Sequence, residues 1–352
     1  MAPKGYFVGY PEMVMTLPAS SRFQFTPELS ICRVMNGLWQ VSGAHGHIDP
    51  ARAIPEMFTY HESGFTTWDL ADHYGPAEDF IGAFHRQFAG RFGADRLKEI
   101  QAFTKWVPRP GRMTRRVVED AINLSLSRMG VKSLDLLQFH WWDYGDHAYL
   151  DALKYLADLQ QEGKILHLAL TNFDTEHLSV INDHGIKIVS NQVQYSLVDL
   201  RPENKMAAFC GEHGITLLPY GTLLGGLMSE KFVARPEPRR SELSTASLQK
   251  YRNMIEAWGG WSLFQELLAA VKQVADHHRA SIANVAVRSI LDRPAVAAVI
   301  VGTRLGVAEH MADNMRVFGF QLDSDDRAKL DAVSAKSRDL VKLIGDCGDE
   351  YR

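Results

Sequence analysis

Four ionisable side chains lie at or just after the ends of three short apolar runs in the first half of the chain. Asp69 ends the run FTTWD, and Tyr74 follows it five residues later. Lys105 ends the run IQAFTK, and His140 ends the run LDLLQFH. Their types and their shared position make these four residues the first candidates for an active site.

The four side chains complement one another in the transfer of a proton to a carbonyl oxygen. A phenol has an unperturbed pKa near ~10 and is a poor proton donor at neutral pH, but a nearby ammonium lowers that pKa. A carboxylate paired with the ammonium keeps it charged in a partly dry site. A neutral imidazole can donate a hydrogen bond to a carbonyl oxygen without being the acid itself. Beside a hydride source, this group predicts carbonyl reduction.

Eight short apolar runs, separated by longer segments with helical spacing, must position these side chains. The runs show little alternation, which is typical of strands buried on both faces of a parallel sheet. Eight strand–helix repeats predict a closed (β/α)8 TIM barrel, in which chemistry lies at the carboxyl ends of the strands. An open doubly wound sheet is the competing fold, but no GxGxxG motif follows an early strand. The runs are 33–38, 65–69, 100–105, 134–140, 165–171, 186–192, 215–220 and 296–302.

The segments between the runs have the spacing of amphipathic helices. Residues 114–129 predict a helix with one apolar stripe. Ser281 is a predicted N-cap, because it directly precedes the helical pattern IANVAVRSIL. The stripe of the first helix consists of Val117, Val118, Ile122, Leu124 and Leu126.

We expect a single domain over residues 1–352, since no linker or low-complexity tract divides the chain. Three segments fall outside the strand–helix repeat. Residues 1–30 form an N-terminal lead-in, and residues 222–262 form a long loop between the seventh strand and its helix. Residues 320–352 hold a predicted helix at 324–336 and a C-terminal tail. Loops of this length in compact domains are often lids or binding segments.

Composition excludes several other classes of protein. The 352 residues carry a net charge of −4, which favours neither nucleic acid nor an anionic membrane as a partner. No apolar run reaches the length of a signal peptide core or a membrane span. The three cysteines, Cys32, Cys210 and Cys347, show no disulfide or metal spacing. We therefore expect a soluble, cytoplasmic enzyme, while the oligomeric state stays open.

The segments DLADHYG, FTKW and LQFHWWD resemble the three catalytic blocks of the aldo-keto reductase superfamily, in the same order and at similar spacing. The resemblance extends from about residue 33 to about residue 317. It implies an NADP(H)-dependent enzyme that reduces an aldehyde or ketone to an alcohol. It assigns Tyr74 as general acid, Lys105 as the modulator of its pKa, Asp69 as the partner of the lysine and His140 as the residue that orients the substrate.

Four further segments resemble the cofactor-binding blocks of the same superfamily: TNF, NQVQYS, PYGTLLGG and VGTRLGVAEHMADN. The resemblance places Asn172 and Gln192 on the nicotinamide amide, Tyr220 on its ring, and the backbone of 221–226 around the pyrophosphate. The family's usual serine after the stacking tyrosine is Gly221 here, and its usual threonine after the aspartate is Leu70. The remaining implied contacts are Thr171, Gly221, Leu223, Gly225, Gly302, Thr303, Arg304, His310, Asp313 and Asn314.

The last block bears on the choice of cofactor. Gly302, Thr303 and Arg304 are implied at the 2′-phosphate and Asn314 at the adenine. A cation that faces a phosphate is the physical basis for preferring NADP over NAD. His310 stands where the family often has Arg or Gln, which weakens a second phosphate contact.

Tryptophans cluster near the expected rim of the barrel. Trp68 precedes Asp69 in a strand, so it points to the opposite side and is expected in the core. Trp39, Trp106 and either Trp141 or Trp142 are the candidates for the substrate pocket. Such walls favour an apolar or aromatic carbonyl compound. The 222–262 loop and the C-terminal tail are candidates for further walls.

Two other functions are compatible with parts of the sequence. The stretch HWWDYGDH, with Asp72 and His73, offers ligands for a metal-dependent hydrolase. Lys105 fits that function poorly, and Tyr144 and Gly145 predict a turn there, so we expect no metal. The second alternative is a regulatory subunit that binds NADP(H) to sense redox state and retains weak reductase activity.

Overall fold

The computed structural model describes residues 16–43, 46 and 48–352. After a 3-10 turn at Ala19–Ser21, an antiparallel hairpin of β1 (Arg22–Thr26) and β2 (Leu29–Cys32) starts within the predicted lead-in and ends two residues beyond it. Phe25 and Ile31 of this hairpin are buried in one cluster with Phe103 and other residues of the central strands. The hairpin therefore covers part of the apolar interior of the sheet that follows.

Eight parallel strands form that sheet, and each corresponds to one predicted run: seven lie within their runs, and the third, β5, extends one residue beyond its run to Trp106. Its ends meet where Leu217 pairs with Val296, and the Leu217 amide donates to the Ala295 carbonyl at 2.7 Å. The predicted barrel is confirmed. The strands are β3 (Val34–Gly37), β4 (Thr67–Asp69), β5 (Gln101–Trp106), β6 (Leu136–Phe139), β7 (Leu168–Thr171), β8 (Ser190–Gln192), β9 (Thr216–Leu217) and β10 (Val299–Gly302).

Helices follow the strands and enclose the sheet. The largest apolar cluster lies between them and includes Trp68, which is fully buried as predicted. In the described ranges, no helix combines the length and the apolarity needed to cross a membrane. The helices are α1 (Pro50–Glu62), α2 (Ala77–Phe92), α3 (Arg115–Met129), α4 (Ala148–Gln161), α5 (Thr175–Asp183), α6 (Met206–His213), α7 (Ala246–Trp258), α8 (Gly260–His278), α9 (Ile282–Leu291), α10 (Met311–Met315), α11 (Ser324–Ser334) and α12 (Leu340–Ile344).

The predicted helix at 114–129 is present as α3, but its buried face differs from the expected stripe. Val117 and Leu124 are 44% and 50% exposed. The spacing of the buried positions, four, three and four residues apart, follows one helical face more closely than the apolar letters do. The predicted cap of α9 is confirmed, since the Ser281 hydroxyl accepts from the Asn284 amide at 3.1 Å. The buried positions of α3 are Val118, Ile122, Ser125 and Met129.

The segment 222–262 is mostly folded rather than an open loop. It contains α7 and the first residues of α8, and Thr245 caps α7 by accepting from the Leu248 amide at 3.2 Å. Trp258 of α7 and Phe264 of α8 are buried in a second apolar cluster. The amino-terminal end of α7 is thereby held beside the carboxyl ends of the strands.

The contact between α2 and α3 positions the loop that carries Tyr74. The guanidinium of Arg128 donates to the Asp72 carbonyl at 3.3 Å and pairs with Glu78 at 3.3 Å. Glu78 is buried and accepts from the Thr104 hydroxyl at 2.7 Å. Gly82 permits this approach, because a Cβ atom there would lie 2.1 Å from the Arg128 carbonyl oxygen.

Two glycines of α2 should therefore respond in opposite ways to alanine. Gly82→Ala should lower the free energy of unfolding by roughly 1–3 kcal/mol, since α3 must move away. Gly90→Ala, with no atom within 4 Å of its Cβ position, should raise it by about 0.5–1 kcal/mol. Urea denaturation of both variants measures the difference. Equal effects in the two variants would contradict the close packing of α2 on α3.

Candidate active site

One pocket of about 430 Å³ opens at the carboxyl ends of the barrel strands. All four residues singled out for chemistry line it: Asp69 ends β4, Tyr74 lies five residues further on, Lys105 lies in β5, and His140 directly follows β6. The structure thus brings together residues that lie up to 71 positions apart in the chain. The sequence prediction that they share one rim is confirmed in position.

Lys105 and Asp69 form a buried ion pair at the base of this pocket. The Lys105 ammonium donates to both carboxylate oxygens of Asp69, at 2.7 and 2.8 Å, and to the Leu70 carbonyl at 3.0 Å. Both residues are only 3% exposed. Burial lowers the pKa of Lys105 below its ordinary value, while the charge of Asp69 opposes that shift. All three protons of the ammonium are engaged in these bonds.

Tyr74 lies close to this pair without bonding to it. The Lys105 nitrogen is 5.0 Å from the centre of the Tyr74 ring. Burial, followed by the charge of Asp69, raises the pKa of Tyr74 well above its ordinary value. The sequence-based expectation of a lowered pKa is therefore wrong for this structure. The reason is that burial, the larger cause, and the negative charge of Asp69 together outweigh the stabilisation of a phenolate by the Lys105 ammonium.

The hydrogen bond of His140 determines its tautomer. Its Nδ1 lies 3.1 Å from the Thr171 carbonyl oxygen, which only accepts, so Nδ1 carries the proton. Burial lowers the pKa of His140 to about 4, so the ring is neutral at neutral pH. Nε2 is then an acceptor, not the donor to a carbonyl oxygen that the sequence suggested. In this tautomer His140 can orient a hydroxyl group, such as that of an alcohol.

Gln192 connects the catalytic group to the predicted amide site. Its Nε2 donates to Asp69 Oδ1 at 2.7 Å and to Gln138 Oε1 at 2.6 Å, which uses both amide protons. Its Oε1 remains an acceptor. Asn172 has a left-handed backbone with φ of 59°, and its backbone N–H donates to the backbone carbonyl of Gln192 at 2.8 Å. Both residues line the pocket together with Thr171.

The segment after β9 lines another side of the pocket. Tyr220 donates from its hydroxyl to Asn172 Oδ1 at 2.9 Å. Gly221 and Gly225 both have positive φ, 77° and 66°. A Cβ at Gly225 would lie 3.0 Å from Ser247 at the start of α7, so the loop and the helix are in close contact. The predicted residues in this part of the wall are Tyr220, Gly221, Leu223 and Gly225.

The last predicted block reaches the pocket only at its first two residues, Val301 and Gly302. Thr303 is buried, while Arg304 and His310 are exposed beyond the rim. Asp313 accepts from the Ser281 hydroxyl at 2.8 Å and from Asn284, so its carboxylate is engaged at the amino-terminal end of α9. The other predicted residue of this block, Asn314, is half-buried in α10.

The four candidate tryptophans divide into two pairs. Trp39 and Trp142 line the pocket, and Trp39 meets the Tyr74 ring edge-on at 5.0 Å between centroids. Trp106 and Trp141 lie in the core instead, which corrects the prediction for these two. Each directly follows a residue that faces the pocket, Lys105 or His140, and adjacent residues in extended backbone point to opposite sides. The Trp141 indole donates to two carbonyl groups of the following turn, each at 2.8 Å.

Some pocket residues carried no distinguishing signal in the sequence. Lys250 and Tyr251 come from α7, and Tyr351 comes from the C-terminal segment. Only the expectation that the 222–262 segment and the tail supply walls pointed in their direction. No local pattern marks these side chains, because their position depends on how distant segments pack.

The alternative metal ligands are engaged in local bonds. Asp143 accepts from the Gly145 amide at 2.8 Å, and Asp146 accepts from the Ala148 amide at 3.0 Å, as expected for a turn before α4. Within the described ranges, one group of three potential ligands is close enough for a shared ion, and it lies elsewhere, between α8 and α11.

Comparison with known proteins shows the family to which the chain belongs. The model of the Aldo/keto reductase family matches residues 33–335. A chloroplastic pyridoxal reductase of Arabidopsis thaliana is 25% identical over 292 residues, covering 78% of this chain and 74% of the relative. An NADH-specific methylglyoxal reductase of Escherichia coli is 22% identical over 259 residues, covering 66% of this chain and 78% of the relative.

A solved structure is similar in fold. The glycerol dehydrogenase of Gluconobacter oxydans superposes with a TM-score of 0.71 at 20% identity, covering 94% of this chain and 98% of the other. The fold and the pocket define a barrel oxidoreductase. The chain belongs to the aldo/keto reductase family.

The tautomer of His140 gives a prediction for stability against pH. Because its pKa is lowered in the folded chain, between about pH 4 and ~6.5 the unfolded chain binds a proton there and the folded chain does not. The free energy of unfolding should therefore fall as the pH falls through this window. The contribution of this residue amounts to as much as about 3 kcal/mol.

His140→Asn tests this contribution, since asparagine keeps an N–H for the Thr171 carbonyl and does not titrate. Urea denaturation from pH 4 to pH 8 should show a shallower decline for the variant than for the original chain. Above pH 7 the two curves should run parallel. Parallel curves over the whole range would show that His140 is not the buried neutral group described above.

Proposed function

We propose that this member of the family is an NADP(H)-dependent reductase that converts an aldehyde or ketone to an alcohol, with Tyr74 as proton donor. One observation carries the proposal: a half-buried phenol and a buried lysine–aspartate pair share one pocket with the side-chain amides of Asn172 and Gln192. The walls formed by Trp39 and Trp142 favour apolar or aromatic substrates.

The polar groups of the pocket fit a dinucleotide. Asn172 Nδ2 has no partner in the described part of the chain, and Gln192 Oε1 is an open acceptor. A donor beside an acceptor is the complement of a carboxamide group. The side-chain oxygen of Gln40, which lines the pocket near Gly302, is buried and has no partner among the described residues. When bound, the reduced dinucleotide would supply the hydride.

The proton step follows from the state of Tyr74. With a raised pKa the phenol keeps its proton at neutral pH and is present in the form that donates. An alkoxide is a stronger base than a phenolate, so it can take this proton once the carbonyl carbon has been reduced. The Lys105 charge, 5.0 Å from the ring centre, then stabilises the phenolate that remains.

His140 acts on the hydroxyl side of the same reaction. Its Nε2 accepts a hydrogen bond, so it can hold the new alcohol or the Tyr74 hydroxyl in place. In the oxidation direction, the same contact aligns the alcohol with Tyr74. His140 is thus an orienting residue in the proposed mechanism, as the family resemblance implies, but as an acceptor.

Tyr74→Phe should reduce kcat by about 10²–10⁴-fold, since the ring stays and the proton is lost. The affinity for NADPH should change less than about twofold, because the amide-binding residues are intact. NADPH oxidation with a panel of aldehydes and ketones measures kcat, and fluorescence titration measures the affinity. Tyr155→Phe on α4, outside the pocket, is the matched control.

Full activity of Tyr74→Phe would refute the role of Tyr74. A third result, tight NADPH binding by the original chain without turnover of any carbonyl compound, would favour the regulatory subunit over the enzyme.

The preference for NADP is a separate part of the proposal, since a relative with 22% identity is NADH-specific. Arg304 is exposed just beyond Gly302, at the edge of the pocket, where a 2′-phosphate would meet a cation. Arg304→Ala should weaken NADPH by about tenfold or more and NADH by less than about twofold. Parallel titrations with the two dinucleotides measure this. Equal losses would remove phosphate recognition from Arg304.

A further inference from the structure

A second lysine and a second tyrosine enter the pocket and join the predicted amide site through a chain of hydrogen bonds. The Lys250 ammonium donates to the Tyr351 hydroxyl. The hydroxyl oxygens of Tyr351 and Tyr220 are 2.9 Å apart, and Tyr220 donates to Asn172 Oδ1 at 2.9 Å. Four side chains from four separate segments therefore form one continuous network that ends on Asn172.

The segment that carries Tyr351 is tightly fixed against the barrel. A Cβ atom at Gly348 would lie 2.1 Å from the Asn172 carbonyl oxygen. Glu350 pairs at 3.0 Å with Arg201, which also pairs with the fully buried Asp199 at 2.8 Å. These contacts hold Tyr351 in a defined position relative to Asn172.

The charge of Lys250 determines the donor and the acceptor in each hydrogen bond of this network. An ammonium only donates, so the Tyr351 oxygen accepts from it and the Tyr351 proton points to the Tyr220 oxygen. The Tyr220 proton is then left for Asn172, whose side chain must present Oδ1 to it. The amide of Asn172 is thereby fixed with Nδ2 as the group left to donate into the pocket.

The surroundings of Lys250 keep its ammonium group charged. Its nitrogen lies 5.1, 5.4 and 4.5 Å from the ring centres of Tyr220, Tyr251 and Tyr351, within the range of a cation–π interaction. Burial opposes the charge, but the electrostatic effects of Tyr251, Tyr351 and Glu350 and the hydrogen bond to Tyr351 outweigh it, so the pKa of Lys250 is raised above its ordinary value.

We propose that Lys250 and Tyr351 are positioning residues, which act through Tyr220 to hold the Asn172 amide in the one orientation that donates to the oxygen of the nicotinamide carboxamide. This inference rests on the proposed function. Gln192 Oε1 receives the amide protons on the other side, so the two residues recognise a carboxamide by one donor and one acceptor. If the order of donors in this hydrogen-bond network is lost, the Asn172 amide is free to turn and offer a second acceptor instead.

A double-mutant cycle between Lys250 and Asn172 tests the inference, because a residue that acts through another has no effect once that other is removed. Lys250→Met removes the donor, and Lys250→Arg keeps a group that only donates. Asn172→Gly removes the amide and tolerates the left-handed backbone. Tyr351→Phe interrupts the chain at a second point. Lys272→Met, a half-buried lysine of α8 that does not line the pocket, is the matched control.

Titration with NADPH and with NADH, followed by tryptophan fluorescence, gives the affinity of each variant, and circular dichroism verifies its fold. Lys250→Met and Tyr351→Phe should each weaken NADPH about five- to tenfold, the cost of one misdirected hydrogen bond. Lys250→Arg and Lys272→Met should remain within about twofold of the original chain. In the Asn172→Gly background, Lys250→Met should cause no further change beyond about twofold.

The outcomes separate the two proposals. An equal loss from Lys250→Met in both backgrounds would overturn the positioning role and leave the proposed function intact. Failure of Lys250→Arg to restore affinity would show that packing, not donation, is what Lys250 provides. If the original chain binds neither NADPH nor NADH, the proposed function itself is wrong, and the inference falls with it.

Discussion

The buried ion pair of Lys105 and Asp69 is the interaction on which the pocket depends. Removing two charges from water costs several kcal/mol each, and the pair is stable only where both groups are fully hydrogen-bonded. Here the ammonium has three acceptors, and Asp69 Oδ1 also accepts from Gln138 and Gln192. The strands β4, β5, β6 and β8 are thus tied together at one point.

This pair also connects the two halves of the site. Gln192 uses both amide protons on Asp69 and Gln138, which leaves its Oε1 as an acceptor. The orientation of a predicted cofactor-binding side chain therefore follows from the same carboxylate that holds the predicted catalytic lysine. A change at Asp69 would disturb proton transfer and amide recognition together.

The sequence was sufficient for those features that depend on local pattern. The eight runs marked the strands, and the strand ends at Asp69, Lys105 and His140 placed these residues on one rim because parallel strands end on the same side. It was insufficient where the protonation state of a side chain depends on what its neighbour is already bonded to. The raised pKa of Tyr74 requires knowing that Lys105 is already saturated, and the tautomer of His140 requires the Thr171 carbonyl. Trp106 and Trp141 were misplaced for a simpler reason: the side of the strand on which they lie was not considered.

The two lysine–tyrosine pairs of the pocket illustrate how the same residue types acquire different roles. Lys105 is neutralised by a carboxylate and makes no bond to Tyr74, so the phenol keeps its proton and can release it to a stronger base. Lys250 has no carboxylate ion pair among the described residues and donates directly to Tyr351. Its ammonium therefore determines which atom donates in each of the hydrogen bonds that follow. In the first pair the carboxylate leaves the proton available for transfer. In the second pair no carboxylate intervenes, and the Lys250 ammonium holds the Tyr351 proton in its hydrogen bond to Tyr220. This arrangement suits a residue that orients another and not one that reacts.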